Sequence, residues 1–362
     1  MLEKAFPKLG DWEAGDKLPT FKQLESFASR THTPIGYFFL QEPPDEPLPV
    51  PDFRTIRDEA VGRPSPDLLE SIYQSEQRQD WYRNYLAVNE VNPPAFLGSA
   101  SLQASPGKVA SQMREHLGFD LEQRATFPTW TDALRGLIEA AERVGVLVVV
   151  TGIVGSNTHR KLDPQEFRGF ALADTLAPLV FVNGADTKAA QIFTLAHELA
   201  HLWAGQSAVS TPELDAPAVN PSERWCNEVA AEFLVPLESL PDHLSGPTMA
   251  GDLDRLARRY KVSTLVVLRR LFDRGLIAGD WGTYRAHYRE ELARVLARAE
   301  RREDEGGGNF YYTQPYRVSR RFAQAVISQT LEGGTLYRDA YRLLGIRRHE
   351  TFVKFGEHLG VT

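Results

Sequence analysis

Cysteine is almost absent: Cys226 is the single one in 362 residues. One thiol cannot make an internal disulfide, and it cannot furnish a cysteine-based zinc finger, so neither a disulfide scaffold nor a closed thiolate metal knot explains the fold. Long apolar runs are missing as well. No stretch approaches the roughly 18 apolar residues a membrane-spanning helix requires, and the opening MLEKAFPKLGDW has no apolar signal region. A cytoplasmic protein with no membrane attachment is the expectation. Positive charge is also in deficit, 41 Lys and Arg against 48 Asp and Glu, for a formal net charge of -7. Such a chain repels nucleic acid on average, and DNA contact would need a local basic patch.

What is present is ordinary globular composition, 42% hydrophobic and 25% charged. The length suits two or three domains. Residues 1–42 read as short helices, with Pro19 opening one in which Phe21, Leu24, Phe27 and Ala28 recur at helical spacing. QEPPDEPLPVPDF follows, and its five prolines block helix and central strand alike, so 43–60 reads as a linker or docked extended arm. Residues 61–278 then carry a main domain. Helices are expected at 67–86, at 108–117 and from a Thr131 cap to Gly145; VLVVVTGI, GFALAD and PLVFVN read as strands. Later come a helix over 187–204, another from a Ser222 cap to Pro236, and a helix pair joined at Lys261-Val262-Ser263. Residues 279–362 read as a helical or mixed C-terminal domain, with EDEGGGNFYY as a flexible Gly-rich break within it. The fold class expected is α+β, mostly helical, with a small sheet.

The helix over 187–204 contains His197-Glu198-Leu199-Ala200-His201, the H-E-x-x-H pattern. Residues four apart share a helix face, so both imidazoles can reach one ion while Glu198 aims at the water the ion activates. Zinc brings the pKa of such a water to about 7, and a carboxylate in reach takes its proton as it attacks a carbonyl. Two histidines buried without metal or partner would leave ring nitrogens unsatisfied. A third ligand is needed. Gly205 follows His201 by four residues, but no His lies within the next forty positions, which removes the three-histidine variant of the motif. An acidic ligand is expected, and Glu223, twenty-two residues beyond His201 at the head of SERWCNEVAAEF, is favoured. Glu228, Glu232 and Cys226 on the same helix are the alternatives. Asn227, four residues after Glu223, can stand beside the metal and hydrogen-bond a ligand imidazole. The cofactor expected is Zn2+.

FTLAHELAHL at 193–202 and ERWCNEVAAEFLVP at 223–236 resemble the two metal segments of the ImmA/IrrE family of bacterial metallo-endopeptidases. The second family segment reads Glu-x-x-Ala-Asn-x-Phe-Ala-Ala and ends near Met-Pro. Here Cys226 stands for its Ala and Val229 for its Phe, while Glu223 and Asn227 match. RGFALADTLAPLVFVN is similar to the family's paired strands, and WEAGDKLPTFKQLESFA to the end of a Cro/repressor-type helix-turn-helix, truncated here. The resemblance implies a zincin-like, gluzincin-type core and hydrolysis of a peptide bond in a partner protein. That partner would be a helix-turn-helix repressor or antitoxin, cut during stress, mobile-element induction or toxin-antitoxin control.

From another class, the same residues also fit a DNA-binding or antitoxin-like regulator with a structural or sensory zinc. Glu198 argues against it, because a structural site is closed by four protein ligands and gains nothing from a base. The N-terminal segment is not expected to hold an operator tightly, since Lys4, Lys8, Lys17, Lys22 and Arg30 are balanced by Glu3, Asp11, Glu13, Asp16 and Glu25. It should instead pack on the protease body through Phe21, Leu24 and Phe27. Arg258-Arg259, Arg269-Arg270 and Arg320-Arg321 read as solvated faces rather than nucleic-acid contacts. A transition-state donor is sought among His159, Tyr311 and Tyr312. Substrate is expected to lie extended along a sheet edge near Arg168 to Asp174, pairing with Ala171 and Leu172.

Overall fold

The computed structural model describes residues 2–361 apart from 43, 45–46, 53–54, 57–58, 61–62, 212–219, 245, 247 and 301–309. Helices α1 (Leu2–Ala5), α2 (Leu9–Glu13) and α3 (Phe21–Thr31) gather around an aromatic knot, in which Phe27 meets Phe6 at 5.2 Å and Phe38 at 5.7 Å between ring centroids. The expected docking of this segment on the body through Phe21 and Phe27 is therefore corrected: Phe27 is used up inside the segment, and Phe21 is 62% exposed. In the Pro-rich stretch, β1 (Thr55–Ile56) pairs with β2 (Glu59–Ala60). The Gly-rich break expected at 303–309 lies outside the described residues.

Helix α4 (Pro66–Val88) begins on the Ser65 cap with Pro66 at its first position, where the missing amide costs nothing. α5 (Pro106–Leu117), α6 (Leu121–Thr126) and α7 (Trp130–Arg143) follow. The α7 cap is Thr129, whose hydroxyl accepts the Asp132 amide, and not Thr131, which lies inside the first turn. A mixed sheet then forms from β3 (Leu147–Thr151), β4 (Gly169–Leu172), β5 (Leu179–Asn183) and β6 (Ala208–Ser210), in the order β3-β5-β4-β6. β3 and β5 run parallel; β4 is antiparallel to both β5 and β6. The fold is thus α+β and mostly helical, as its sequence pattern implied.

The order of strands corrects the expected substrate edge. β4 is an inner strand: Ala171 pairs with Val180 on one side and Ala208 on the other, and Ala171 and Leu172 are buried. The strand beyond it, β6, carries the edge, and there the Val209 amide donates to the Pro51 carbonyl at 3.0 Å. The Pro-rich stretch is in part a docked arm, with Leu48 and Val50 packed on the core beneath.

Strand alternation sends side chains into two cores. Val148, Val150, Ala171, Val180 and Val182 face one, with α5, α7, α8 (Lys188–Trp203), α9 (Pro221–Leu234), α10 (Met249–Tyr260), α11 (Thr264–Asp273) and the start of α12 (Trp281–Glu300). Leu147, Val149, Phe170, Leu179 and Phe181 face the other, which is closed by α4 and by α13 (Phe310–Val318), α14 (Arg320–Leu331), α15 (Tyr337–Leu344) and α16 (His349–Leu359). The C-terminal helices share the sheet's second face. Among the described residues, no helix is long and apolar enough to cross a membrane.

Candidate metal centre

Helix α8 forms because TKAAQIFTLAHELAHLW has neither Gly nor Pro and starts on a Thr187 cap whose hydroxyl accepts the Ala190 amide. It is buried all round from Gln191 to Trp203. Leu195, Leu199 and Leu202 are fully buried, and each contributes roughly 1.5–3 kcal/mol of transfer free energy. That apolar packing is what holds two imidazoles and a carboxyl away from water. His197 and His201 project one turn apart, ring centroids 4.8 Å from each other.

Helix α9 packs along α8 and brings Glu223 in its first turn. Its cap is Asn220, whose Oδ1 accepts the Ser222 amide at 2.8 Å and the Glu223 amide at 3.5 Å, with Pro221 next. Ser222, the cap expected from the sequence, sits inside the turn, and its hydroxyl is bonded to Gln206. Glu223 lies 3.2 Å from His197 Nε2 through Oε2 and 2.9 Å from His201 Nε2 through Oε1, and the two Nε2 atoms are 3.1 Å apart. Ligand atoms at about 2.0–2.1 Å from a tetrahedral ion stand roughly 3.3 Å from one another, so the triangle has the size zinc requires. The donors fit a metal.

Electrostatics agree. Burial alone would raise the Glu223 carboxyl, but the facing His197 and His201 imidazoles outweigh it and hold it down at about 2. Burial lowers His201 in turn, while Glu223 and a hydrogen bond from the Gln206 side chain act the other way. His197 Nδ1 is buried with no hydrogen-bond partner among the described residues. Glu198, completely buried beside the triangle, has no partner for either carboxylate oxygen among the described residues. Burial drives its carboxyl well above the usual range, with the Glu223 charge adding. A buried carboxyl without partners costs several kcal/mol unless something in the site uses it.

The other residues singled out in the sequence fall as follows. Asn227 makes no bond to an imidazole, and its buried Oδ1 has no partner among the described residues, whereas the Gln206 side chain does bear on the His201 ring. Gln206 lies just past the helix, where no periodicity marks it. Cys226 is buried in the core, where burial, with Glu223 and Glu198 adding, pushes its thiol up. Glu228 is exposed; Glu232, expected on an exposed face, is ion-paired with the buried Arg270. Arg270 also donates to the Val235 carbonyl, and Arg269 pairs with Asp273 and lies over Trp281, so this basic pair is structural rather than a solvated face. Arg321 donates to Tyr82 and to the Glu142 carbonyl, while Arg258, Arg259 and Arg320 are exposed. Arg168 stands 3.7 Å from Asp186, and its amide donates to the Ser210 carbonyl. His159 is exposed on the loop whose Ser156 bonds Gly345, and Tyr311 and Tyr312 meet the His358 ring.

Two residues near the centre carried no sequence signal. Gly169 faces Glu198 so closely that a Cβ there would lie 2.9 Å from Glu198 Oε1. Ser210, on the edge strand, reaches both His201 and Glu223.

A small sheet, an H-E-x-x-H helix and a glutamate on a second helix laid against it define a zincin-like peptidase fold. Residues 141–272 match the peptidase family model described as an IrrE N-terminal-like domain, which supports an ImmA/IrrE-family peptidase. Residues 318–358 match a domain of unknown function. No curated protein and no solved structure matches the chain.

Proposed function

We propose that the protein is a zinc-dependent endopeptidase that cuts a peptide bond in a partner regulator of the repressor or antitoxin type. The observation that carries this reading is the 2.9–3.2 Å triangle of His197, His201 and Glu223 beside a Glu198 carboxyl with no structural task. A zinc ion held by His197, His201 and Glu223 would supply Lewis acidity for hydrolysis of a peptide carbonyl. Glu198 takes the proton of the attacking water and passes it to the leaving amine. Among the described residues the His, Cys, Asp and Glu side chains that could hold the metal are three, where a structural zinc is usually closed by four such ligands. The partner's identity as a regulator rests on the family resemblance alone.

Elemental analysis of the purified protein should find about one zinc per chain, lost in His197→Ala, His201→Ala and Glu223→Ala. Glu198→Gln should keep the metal and slow hydrolysis at least about a hundredfold. Used as bait in its native host, that variant should hold an intact protein that the parent cleaves. Equal metal content in all three alanine variants and the parent would sink the site.

A further inference from the structure

Ser210 ends β6, and the alternation that turns Val209 toward the C-terminal helices turns Ser210 toward α8. It is completely buried. Its Oγ stands 3.4 Å from His201 Nε2 and 3.4 Å from Glu223 Oε1. A buried serine needs one acceptor to be satisfied. This one faces two members of the metal triangle at once. The edge of a tetrahedron around zinc is roughly 3.3 Å, so Oγ is spaced from His201 and Glu223 as a fourth donor would be.

Access points the same way. His197, Glu198 and His201 are 0% exposed and Glu223 is 4% exposed, so all four side chains are shielded from solvent together with Ser210. β6 is the outermost strand of the sheet on this side, three residues long and held on its outer side through the Val209 amide to Pro51. Beyond β4 its pairing is reduced to that one bond and the Asp52–Val209 bridge, so β6 is less tightly held than the inner strands β4 and β5.

We propose that the Ser210 hydroxyl occupies the fourth coordination position of the metal while the site is closed, and yields it when a substrate enters. Ser210 is then a displaceable ligand carried on the edge strand, and the closed form is a resting state in which no open position is offered to water. The proposal rests on the metal reading above, and its test separates the two.

The probe is cobalt(II), which takes tetrahedral sites of this kind and absorbs in the visible. The parent and the Ser210→Cys and Ser210→Ala variants are loaded with cobalt, then with zinc, and folding is checked by circular dichroism. Ser210→Cys should acquire a sulfur-to-cobalt charge-transfer band that the parent lacks and should hold zinc at least about tenfold more tightly, since a thiolate replaces a weak hydroxyl donor. Ser210→Ala should bind cobalt with altered visible bands. Cobalt uptake with no sulfur band in the cysteine variant and unchanged bands in the alanine variant would overturn the proposal while leaving the triangle standing. A sulfur band already present in the parent would give the fourth position to Cys226 and overturn it too. Failure of the parent to bind either metal would overturn both readings. If Ser210→Cys does not fold, the alanine variant decides.

Discussion

Glu198 can sit where it does because residue 169 has no side chain. A Cβ on Gly169 would fall 2.6 Å from Thr194 Cγ2, 2.9 Å from the Phe181 carbonyl oxygen and 2.9 Å from Glu198 Oε1. Two of those neighbours are a β-branched side chain on α8 and the backbone of the paired strand, neither of which swings aside, so the contact must be relieved by separating β4 from α8 or by displacing the carboxylate. Gly169→Ala should therefore lose about 1–3 kcal/mol of stability and, with a partner in hand, most of its turnover, while keeping its zinc. An unchanged urea midpoint together with unchanged turnover would show that the helix-strand gap is looser than these distances imply. At this scale, legibility depends on whether a residue type is unusual at its place. His197, Glu198 and His201 stand out from an apolar helix, and Glu223 from the helix that follows, because burying them needs a reason. Gly169, Gln206 and Ser210 are ordinary residues in ordinary strands and loops, and only proximity in space gives them a task. Asn227 shows the opposite error: i, i+4 spacing from Glu223 placed it on the correct helix, but it could not show which side chain meets the ring.

The element that matters most for the centre is α9, since it carries Glu223 at one end and is anchored at the other. Three guanidiniums collect its last carbonyls: Arg114 bonds Glu232 O at 2.6 Å, Arg124 bonds Leu234 O at 2.6 Å, and Arg270 bonds Val235 O at 2.9 Å. A helix ends with unpaired carbonyls and the negative pole of its dipole, so cations there satisfy both needs. Arg124 is completely buried, and its bonds all go to carbonyls, the weaker ones to Phe233 and Tyr260. Two effects compete on its removal: relief from a desolvated cation, and the loss of donors to Leu234 and Tyr260, which stay buried. The carbonyls dominate, because they remain whatever replaces the arginine. Arg124→Met should lower stability by about 1–3 kcal/mol, read as a fall in urea midpoint with zinc binding retained; an equal or higher midpoint would mean the cation's desolvation is the larger quantity. Helix positions were readable from caps and periodicity, with slips of a residue or two where neighbouring polar residues competed for the cap, Thr129 against Thr131 and Asn220 against Ser222. The inner position of β4 was not readable. Its outer neighbour β6 is three residues long, too short for alternation to show, and without it β4 looks like an edge.

At the scale of the molecule, the sheet is a partition with the metal centre on one side and the C-terminal helices on the other, and Glu142 joins the two sides. It stands near the end of α7, where its carboxylate accepts from the Ser319 hydroxyl and, at 3.5 Å, from the Arg321 amide, at the start of α14. Ser319 holds φ at 70°, a left-handed backbone uncommon outside glycine, and its hydroxyl also caps α14 by accepting the Phe322 amide. The join is thus built from a buried acid, a strained serine and a helix N-terminus. Burial pushes the Glu142 carboxyl up to about 7 from an ordinary value of 4.5, in spite of the hydrogen bonds from Ser319 and the Arg321 and Arg320 amides. Because the folded state holds this proton more tightly than the unfolded chain, the stability it contributes is complete below about pH 4.5 and is lost as pH rises through about 7. A shift of this size corresponds to roughly 3 kcal/mol at its upper limit. Glu142→Gln keeps an acceptor for Ser319 and cannot ionise, so the variant should be more stable than the parent at pH 8, by about 1–3 kcal/mol, and should differ little from it at pH 5. Urea unfolding of both proteins at the two pH values isolates the effect, since every other titrating group, the metal ligands included, cancels in the difference between them. Equal pH slopes for parent and variant would mean that Glu142 is solvated well enough to ionise normally, and that the C-terminal helices rest on the sheet without a buried acid between them.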